Sequence, residues 1–144
     1  TAKRLIKYLK FFLFIGLMKD KNIQAIIHSA KKDRNVLAVG LFGSYARGEP
    51  HRDIDVCLFL KPNKYPPLAL SRSRLHHTLP NEKYDVQIFQ QLPLYIRKRI
   101  LKEAKIVYCK NQSSLYDLYF ETIRKFEDYK RYYEEYLNAV LHGG

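Results

Sequence analysis

The sequence predicts an α/β fold in which a small mixed β-sheet of about four strands is flanked by helices and followed by a long C-terminal helix. Two apolar runs, residues 36–42 and 53–60, have the length and composition of strands buried in a sheet. Residues 83–89 alternate between polar and apolar side chains, as a strand with two different faces does. From residue 113, apolar residues recur at spacings of four and three, which is typical of a long amphipathic helix.

The remaining elements fill the intervals between these segments. Further helices are expected at residues 3–18, 20–32, 68–79 and 93–104, the third of them weak. A short helical turn is expected at 45–48, a proline-rich loop at 61–67 and a fourth strand at 106–109. Asp20 is the expected N-cap of the second helix, and Ser113 or Ser114 that of the last.

The length and charge of the chain limit its organisation and its partners. At 144 residues, we expect an N-terminal basic and apolar helical extension (1–19), a central domain (20–112) and a long C-terminal helix (113–144) that serves as an interaction surface. The 26 Lys and Arg against 14 Asp and Glu give a formal net charge of +12, which suggests a polyanionic partner such as a nucleotide, a nucleic acid or an acidic protein. The basic helix face at residues 97–102 is expected to be solvated.

The cysteines and the N-terminal segment bear on the compartment. Cys57 and Cys109 lie in apolar runs without metal-ligand spacing, so we expect reduced core thiols in a cytoplasmic protein. The apolar run at residues 11–18 is shorter than the ~20 residues that span a bilayer, so no transmembrane segment is expected. The open alternatives for this run are a buried or partner-facing helix and a membrane-surface anchor.

Three carboxylates are placed so that they could converge at one edge of the sheet. Asp53 and Asp55 lie two apart on a predicted strand and project from the same face. Asp85 lies near the start of another predicted strand, and adjacent strands are only about 5 Å apart. Carboxylate oxygens suit Mg²⁺ or Mn²⁺, and two such ions about 4 Å apart can align a displacement at phosphorus. The three residues are therefore candidate metal ligands.

A candidate phosphate-binding turn lies just upstream of these carboxylates. Gly43 and Ser44 follow a predicted buried strand and open a helical turn. Glycine allows the backbone to approach a phosphate closely, and the free N–H groups of such a turn attract anions. The turn and the carboxylates would then face each other at one edge of the sheet.

The stretch from Gly43 to Gly48, followed by Asp-Ile-Asp-Val at 53–56, resembles the signature of the DNA polymerase β nucleotidyltransferase superfamily. It is most similar to the minimal nucleotidyltransferase (MNT) group, prokaryotic proteins often paired with HEPN-domain ribonuclease toxins. The resemblance covers residues 20–110 and implies a polymerase β-like fold. It also implies a metal-dependent transfer of a nucleoside monophosphate, from ATP or another triphosphate, to a hydroxyl group with release of pyrophosphate.

The resemblance assigns a role to each candidate residue. Gly43 and Ser44 would bind the nucleoside triphosphate, and Arg47 would contact phosphate or acceptor. The metal ligands, for Mg²⁺ or alternatively Mn²⁺, would be Asp53, Asp55 and Asp85. Asp85 would also help to deprotonate the acceptor hydroxyl. In MNT antitoxins the acceptor is a tyrosine of the HEPN toxin, so a HEPN-type toxin is the expected partner.

Departures from the family pattern leave two other functions open. Eight residues separate Ser44 from Asp53, fewer than in many members of the group, and Arg52 stands where serine is common. No substrate domain follows residue 110, so the acceptor would come from a partner or a second subunit. The alternatives are a catalytically degenerate module that neutralises a partner by contact through the C-terminal helix, and a nucleotidyltransferase directed at nucleic acid. A homo-oligomer formed through the same helix is a further alternative.

Overall fold

The computed structural model describes residues 21–50, 52–78 and 84–143. The helix expected at 3–18, the extension expected at 1–19 and the capping role of Asp20 lie outside these residues. Within the described ranges, no helix is both long enough and apolar enough to cross a membrane.

A four-stranded mixed sheet forms the centre of the fold. Its strands are β1 (Val36–Phe42), β2 (Ile54–Leu60), β3 (Tyr84–Ile88) and β4 (Lys105–Cys109), arranged in the order β3-β2-β1-β4. β1 runs antiparallel to both of its neighbours, whereas β2 and β3 are parallel. β1 is buried along nearly its whole length because helices cover both faces of the sheet, as its continuous apolar sequence predicts.

In the described residues, five helices surround the sheet. They are α1 (Lys21–Lys32), α2 (Gly43–Ala46), α3 (Pro67–Thr78), α4 (Leu94–Glu103) and α5 (Gln112–Leu141), with a 3₁₀ turn at Phe89–Gln91. One core layer joins α1 and α3 to the sheet, and the other joins α4 and the start of α5 to the opposite face. The predicted fold class, a small mixed sheet of four strands flanked by helices and followed by a long last helix, is therefore confirmed.

Two local predictions differ from the structure. The short helix after β1 covers Gly43–Ala46 instead of 45–48, since it begins at the Gly-Ser pair that opens the predicted phosphate-binding turn and ends before Arg47. The N-cap of α5 is Asn111, whose side-chain oxygen accepts a hydrogen bond from the backbone N–H of Ser114 at 3.1 Å. The predicted serine cap was wrong, since both serines already lie in the first helical turn while the backbone of Asn111 is still extended.

The apolar seam of α5 divides into a packed inner part and an exposed outer part. Leu115, Tyr119 and Thr122 are buried against the core. Phe126 beyond them is half-buried, and the seam reaches solvent from Tyr129, which is 57% exposed. The exposed apolar residues of this outer part, which we call the α5 outer face, are Tyr129, Tyr132, Tyr133, Tyr136, Val140 and Leu141. A helix of 30 residues is about 45 Å long, so it extends beyond the core it packs on.

Candidate active site

The turn that joins β1 to α2 lies directly against β2. Gly43 has φ of +73°, in the left-handed region that residues with a Cβ rarely adopt. A Cβ added at Gly43 would also overlap Oδ2 of Asp55 on β2. Glycine is therefore favoured here by its backbone conformation, and a side chain at this position would force the Asp55 carboxylate to move. The predicted phosphate-binding turn thus touches one of the predicted metal ligands.

The predicted carboxylates lie at one end of the parallel β2–β3 pair. Asp55 and Asp85 are direct register partners on these two strands, where neighbouring backbones are about 5 Å apart. Asp53 lies just before β2 and is exposed. The strand adjacency assumed from the sequence is thus present, and it places Asp85 beside Asp55.

The electrostatic environment of Asp55 disfavours its charged form. Burial raises the pKa of Asp55, and the negative charges of Asp85 and Asp53 raise it further, while Arg47 acts in the opposite direction. A nearby cation stabilises the charged form of a carboxylate most strongly when that carboxylate is partly desolvated and close to other carboxylates. The environment of Asp55 therefore favours the binding of a positive ion.

Asp85 has two contacts that the sequence did not predict. Nε2 of Gln87 donates a hydrogen bond to Oδ1 of Asp85 at 3.0 Å. Nη2 of Arg74, on α3, lies 3.7 Å from the same oxygen, and its Nε donates to the carbonyl of Val86 at 2.8 Å. The side chain of Asp85 is thus held at the strand by neighbours that supply positive charge and a hydrogen bond.

The donor set fits a divalent cation in its chemistry. Asp53, Asp55 and Asp85 offer only hard oxygen ligands, which suit Mg²⁺ and Mn²⁺. In the ranges that the structure describes, no three carboxylate, imidazole or thiol groups already converge as a metal site. Asp55 and Asp85 are therefore the adjacent pair on which a metal site would be built.

A cavity of about 320 Å³ opens between the turn after β1 and α4. It is lined by Phe42, Gly43, Ser44, Arg47, Asp55, Ile96, Arg99, Ile100 and Glu103. Gly43, Ser44, Arg47 and Asp55, all predicted site residues, thus share one cavity, whereas Asp53 and Asp85 are outside its lining.

Arg47 is engaged in ion pairs within the protein. Its Nε donates to both carboxylate oxygens of Glu49 at 3.1 Å, and its Nη1 donates to Oε2 of Glu103 at 2.9 Å. Because Glu103 is the last residue of α4, this contact links the turn after α2 to that helix. The predicted role of Arg47 in binding phosphate or acceptor would require a ligand to compete with two carboxylates.

Besides Gln87, three residues near the site were missed by sequence reasoning. Arg74 contacts Asp85, and Arg99 and Glu103 line the cavity. Arg99 belongs to the basic run that the sequence suggested to be a solvated face. Its spacing of four from Glu103 places both on one side of α4, but which side faces the cavity depends on packing against the sheet.

The fold and the site define a nucleotidyltransferase domain. Residues 24–113 match the family described as "Polymerase beta, Nucleotidyltransferase", and the chain belongs to this family. The match includes every predicted site residue, from Gly43 to Asp85.

Among curated proteins, the chain is similar to "Putative protein adenylyltransferase MJ1547" of Methanocaldococcus jannaschii. The two are 35% identical over 77 residues, which cover 51% of this chain and 56% of the relative. The chain thus matches little more than half the length of this curated relative.

Solved structures share the fold at low sequence identity. A chain of a structure described as a toxin–antitoxin with AMP-PNP has a TM-score of 0.60 at 16% identity, covering 83% of this chain and 96% of that chain. A chain of a structure described as a tri-AMPylated Shewanella oneidensis HEPN toxin in complex with MNT antitoxin has a TM-score of 0.55 at 14% identity, covering 83% and 92%. These similarities establish the common fold.

Proposed function

We propose that this chain is a metal-dependent protein adenylyltransferase that transfers AMP from ATP to a hydroxyl of a partner protein. The observation that carries the proposal is the contact between the Gly43 turn and Asp55, which lies beside Asp85 on the adjacent parallel strand. This contact between the candidate phosphate-binding turn and a pair of adjacent carboxylates supports the proposal. The curated relative from Methanocaldococcus jannaschii, named for the same activity, supports the choice of a protein as acceptor.

The reaction forms a bond between the acceptor oxygen and the α-phosphorus of ATP and breaks the bond from that phosphorus to the bridging oxygen of the β-phosphate. Pyrophosphate leaves, and Asp85 helps to accept the proton of the acceptor hydroxyl. A divalent cation, held by Asp53, Asp55 and Asp85, would neutralise the phosphate charge and orient the reacting oxygens. Gly43 would allow the backbone to lie close to the phosphates, and Ser44 lines the cavity in which they would lie.

The acceptor hydroxyl is proposed to come from a HEPN-type toxin, with this chain acting as its MNT-type antitoxin. The toxin–antitoxin complexes with the same fold motivate this choice. The α5 outer face supports it from the chain itself, since exposed tyrosines and aliphatic side chains on one helix are typical of a partner surface. We also propose a cytoplasmic location, in keeping with the free thiols of Cys57 and Cys109.

The proposal is tested by transfer of label from α-labelled ATP to the toxin encoded beside this chain, in the presence of Mg²⁺. Label should appear on the toxin with the wild-type chain and be lost with Asp53→Asn. Asp117→Asn, which changes an exposed carboxylate on α5 far along the chain from the motif, is the matched control and should retain transfer. Absence of both transfer and nucleotide binding in the wild-type chain would contradict the proposal.

A second candidate function is neutralisation of the partner by contact alone. The α5 outer face favours it, as does the lack of three converged metal ligands among the described residues. In this case Asp53→Asn would neutralise the toxin as well as the wild-type chain does, although no label was transferred. Loss of neutralisation with Asp53→Asn would exclude it.

A further inference from the structure

The cavity beside the Gly43 turn contains two arginines in different electrostatic situations. The guanidinium of Arg47 is shared between Glu49 and Glu103, at distances of 2.9–3.1 Å. These two carboxylates offset its positive charge. A phosphate entering the cavity would therefore gain little from Arg47 unless it displaced one of them.

Arg99 lines the same cavity from α4 and is exposed. It precedes Glu103 by one helical turn, and the cavity wall beside it is formed by Ile96 and Ile100. In the described part of the chain, no carboxylate forms an ion pair with Arg99. Its five N–H donors are thus available to a ligand, and a guanidinium is suited to bind phosphate through two parallel hydrogen bonds.

The position of the cavity indicates which part of a nucleotide would reach Arg99. Asp55 lines the cavity, whereas its neighbour Asp85 does not, so the space extends from the carboxylate pair towards α4. The reacting α-phosphorus must lie at the carboxylates. The phosphates that leave as pyrophosphate would then occupy the space between Ser44 and α4.

We propose that Arg99 binds the β- and γ-phosphates of the nucleotide and makes the site selective for a nucleoside triphosphate over a monophosphate. This inference rests on the proposed nucleotidyl transfer and adds a residue outside the Gly-Ser and Asp-x-Asp motif. Arg47 holds the turn after α2 against α4 through Glu103, so that Ser44 and Arg99 face one cavity.

The test compares the affinities of the full chain for ATP, AMP and pyrophosphate, each with Mg²⁺, by isothermal titration calorimetry. Arg99→Gln should weaken the binding of ATP and pyrophosphate by about tenfold to a hundredfold, because a charge-assisted hydrogen bond is lost, and should leave AMP binding unchanged. Arg99→Lys should recover only part of the loss, since an ammonium cannot bind two oxygens as a planar fork does. Melting temperatures verify that the variants fold.

Lys102→Gln is the matched control, because it removes the same charge from the same helix at a position outside the cavity lining. Wild-type affinities are expected for Lys102→Gln. An equal loss of ATP affinity in Arg99→Gln and Lys102→Gln would mean that only the net charge of α4 matters, and this would overturn the proposal. Wild-type ATP affinity in the Arg99→Gln variant would also overturn it. If the wild-type chain bound no ATP, the proposed nucleotidyl transfer would be contradicted. If the wild-type chain bound ATP but Arg99→Gln had no effect, only the proposal for Arg99 would be contradicted.

Discussion

Gly43 connects the conformation of the turn after β1 to the carboxylate of Asp55. Its φ of +73° would cost a residue with a Cβ about 1–2 kcal/mol. The overlap of an added Cβ with Asp55 is a separate, steric restriction. The two restrictions can be separated experimentally because Gly48 has the same φ and no atom near its Cβ position.

We expect Gly43→Ala to lower the free energy of unfolding by about 2–4 kcal/mol, since backbone strain and overlap add. Gly48→Ala should cost only about 1–2 kcal/mol, because strain alone remains. Urea unfolding curves measure both values. Equal losses in the two variants would show that Asp55 does not restrict the turn.

A double-mutant cycle isolates the contact between Gly43 and Asp55. Introducing Asp55→Ala into Gly43→Ala removes the overlapping carboxylate, so the cost of the added methyl should fall towards that at Gly48. An additive combination would argue against direct contact.

The raised pKa of Asp55 predicts a pH-dependent stability. The folded chain binds this proton more tightly than the unfolded chain does, because burial and neighbouring carboxylates disfavour the anion. The stabilisation from protonated Asp55 is complete at pH values below the pKa of this group in the unfolded chain. It is lost as the pH rises through the pKa of Asp55 in the folded chain. Asp55→Asn should therefore raise the melting temperature by a few degrees at neutral pH and have little effect well below pH 3.8, the ordinary pKa of the group.

Circular dichroism melts at several pH values measure this difference. Mg²⁺ should raise the melting temperature of the wild-type chain but not that of Asp55→Asn, since only the ionised carboxylate offers a strong ligand. An Asp55→Asn variant less stable than wild type at neutral pH would contradict the predicted sign.

At the scale of elements, burial decides what could be predicted from the sequence. β1 and β2 were placed to within one residue, because a strand covered on both faces is continuously apolar. The pairing of Asp55 with Asp85 was harder to predict, since it depends on β2 and β3 being parallel neighbours joined by α3.

The place of Arg99 in the cavity could not be predicted, because the side of α4 that faces the cavity is set by packing with distant residues. Asn111 could have been found, since asparagine is a favoured N-cap.

The two parts of α5 should respond differently to the same substitution. Tyr119 is buried, with its ring centroid 5.9 Å from that of Phe59, so Tyr119→Ala should cost about 3–5 kcal/mol of unfolding free energy. Tyr129→Ala, on the α5 outer face, should change it by less than about 0.5 kcal/mol. Urea unfolding provides the comparison. A large loss at Tyr129 would mean that the outer part of α5 packs on its own chain.

For the whole molecule, the proposed partner surface and the candidate active site are separate. The carboxylates lie at the beginning of β2 and β3, whereas the α5 outer face belongs to the last helix. If both proposals hold, we expect that binding of the partner and transfer of AMP can be removed independently. The net charge of +12 further favours an acidic partner.

We expect the pair Tyr129→Glu and Tyr133→Glu to abolish binding of the toxin without changing the melting temperature, because both rings are exposed and stack on each other at 6.2 Å. The Asp53→Asn variant should bind the toxin as tightly as the wild-type chain does, but it should transfer no AMP. Calorimetric titration of the toxin measures binding. Unchanged binding of the toxin by the double glutamate variant would show that the partner binds to a surface other than the α5 outer face.

Because α5 is packed up to Thr122 and exposed beyond Tyr129, its backbone amides should exchange with deuterium in two regimes. The inner amides should open only when the whole domain unfolds, whereas the outer ones open by fraying of the helix end. Addition of the partner should slow the outer amides selectively. Amide exchange along one continuous helix would then report two quantities. The rate at its beginning would report the stability of the domain, and the rate at its end would report how much of the chain is bound to the partner.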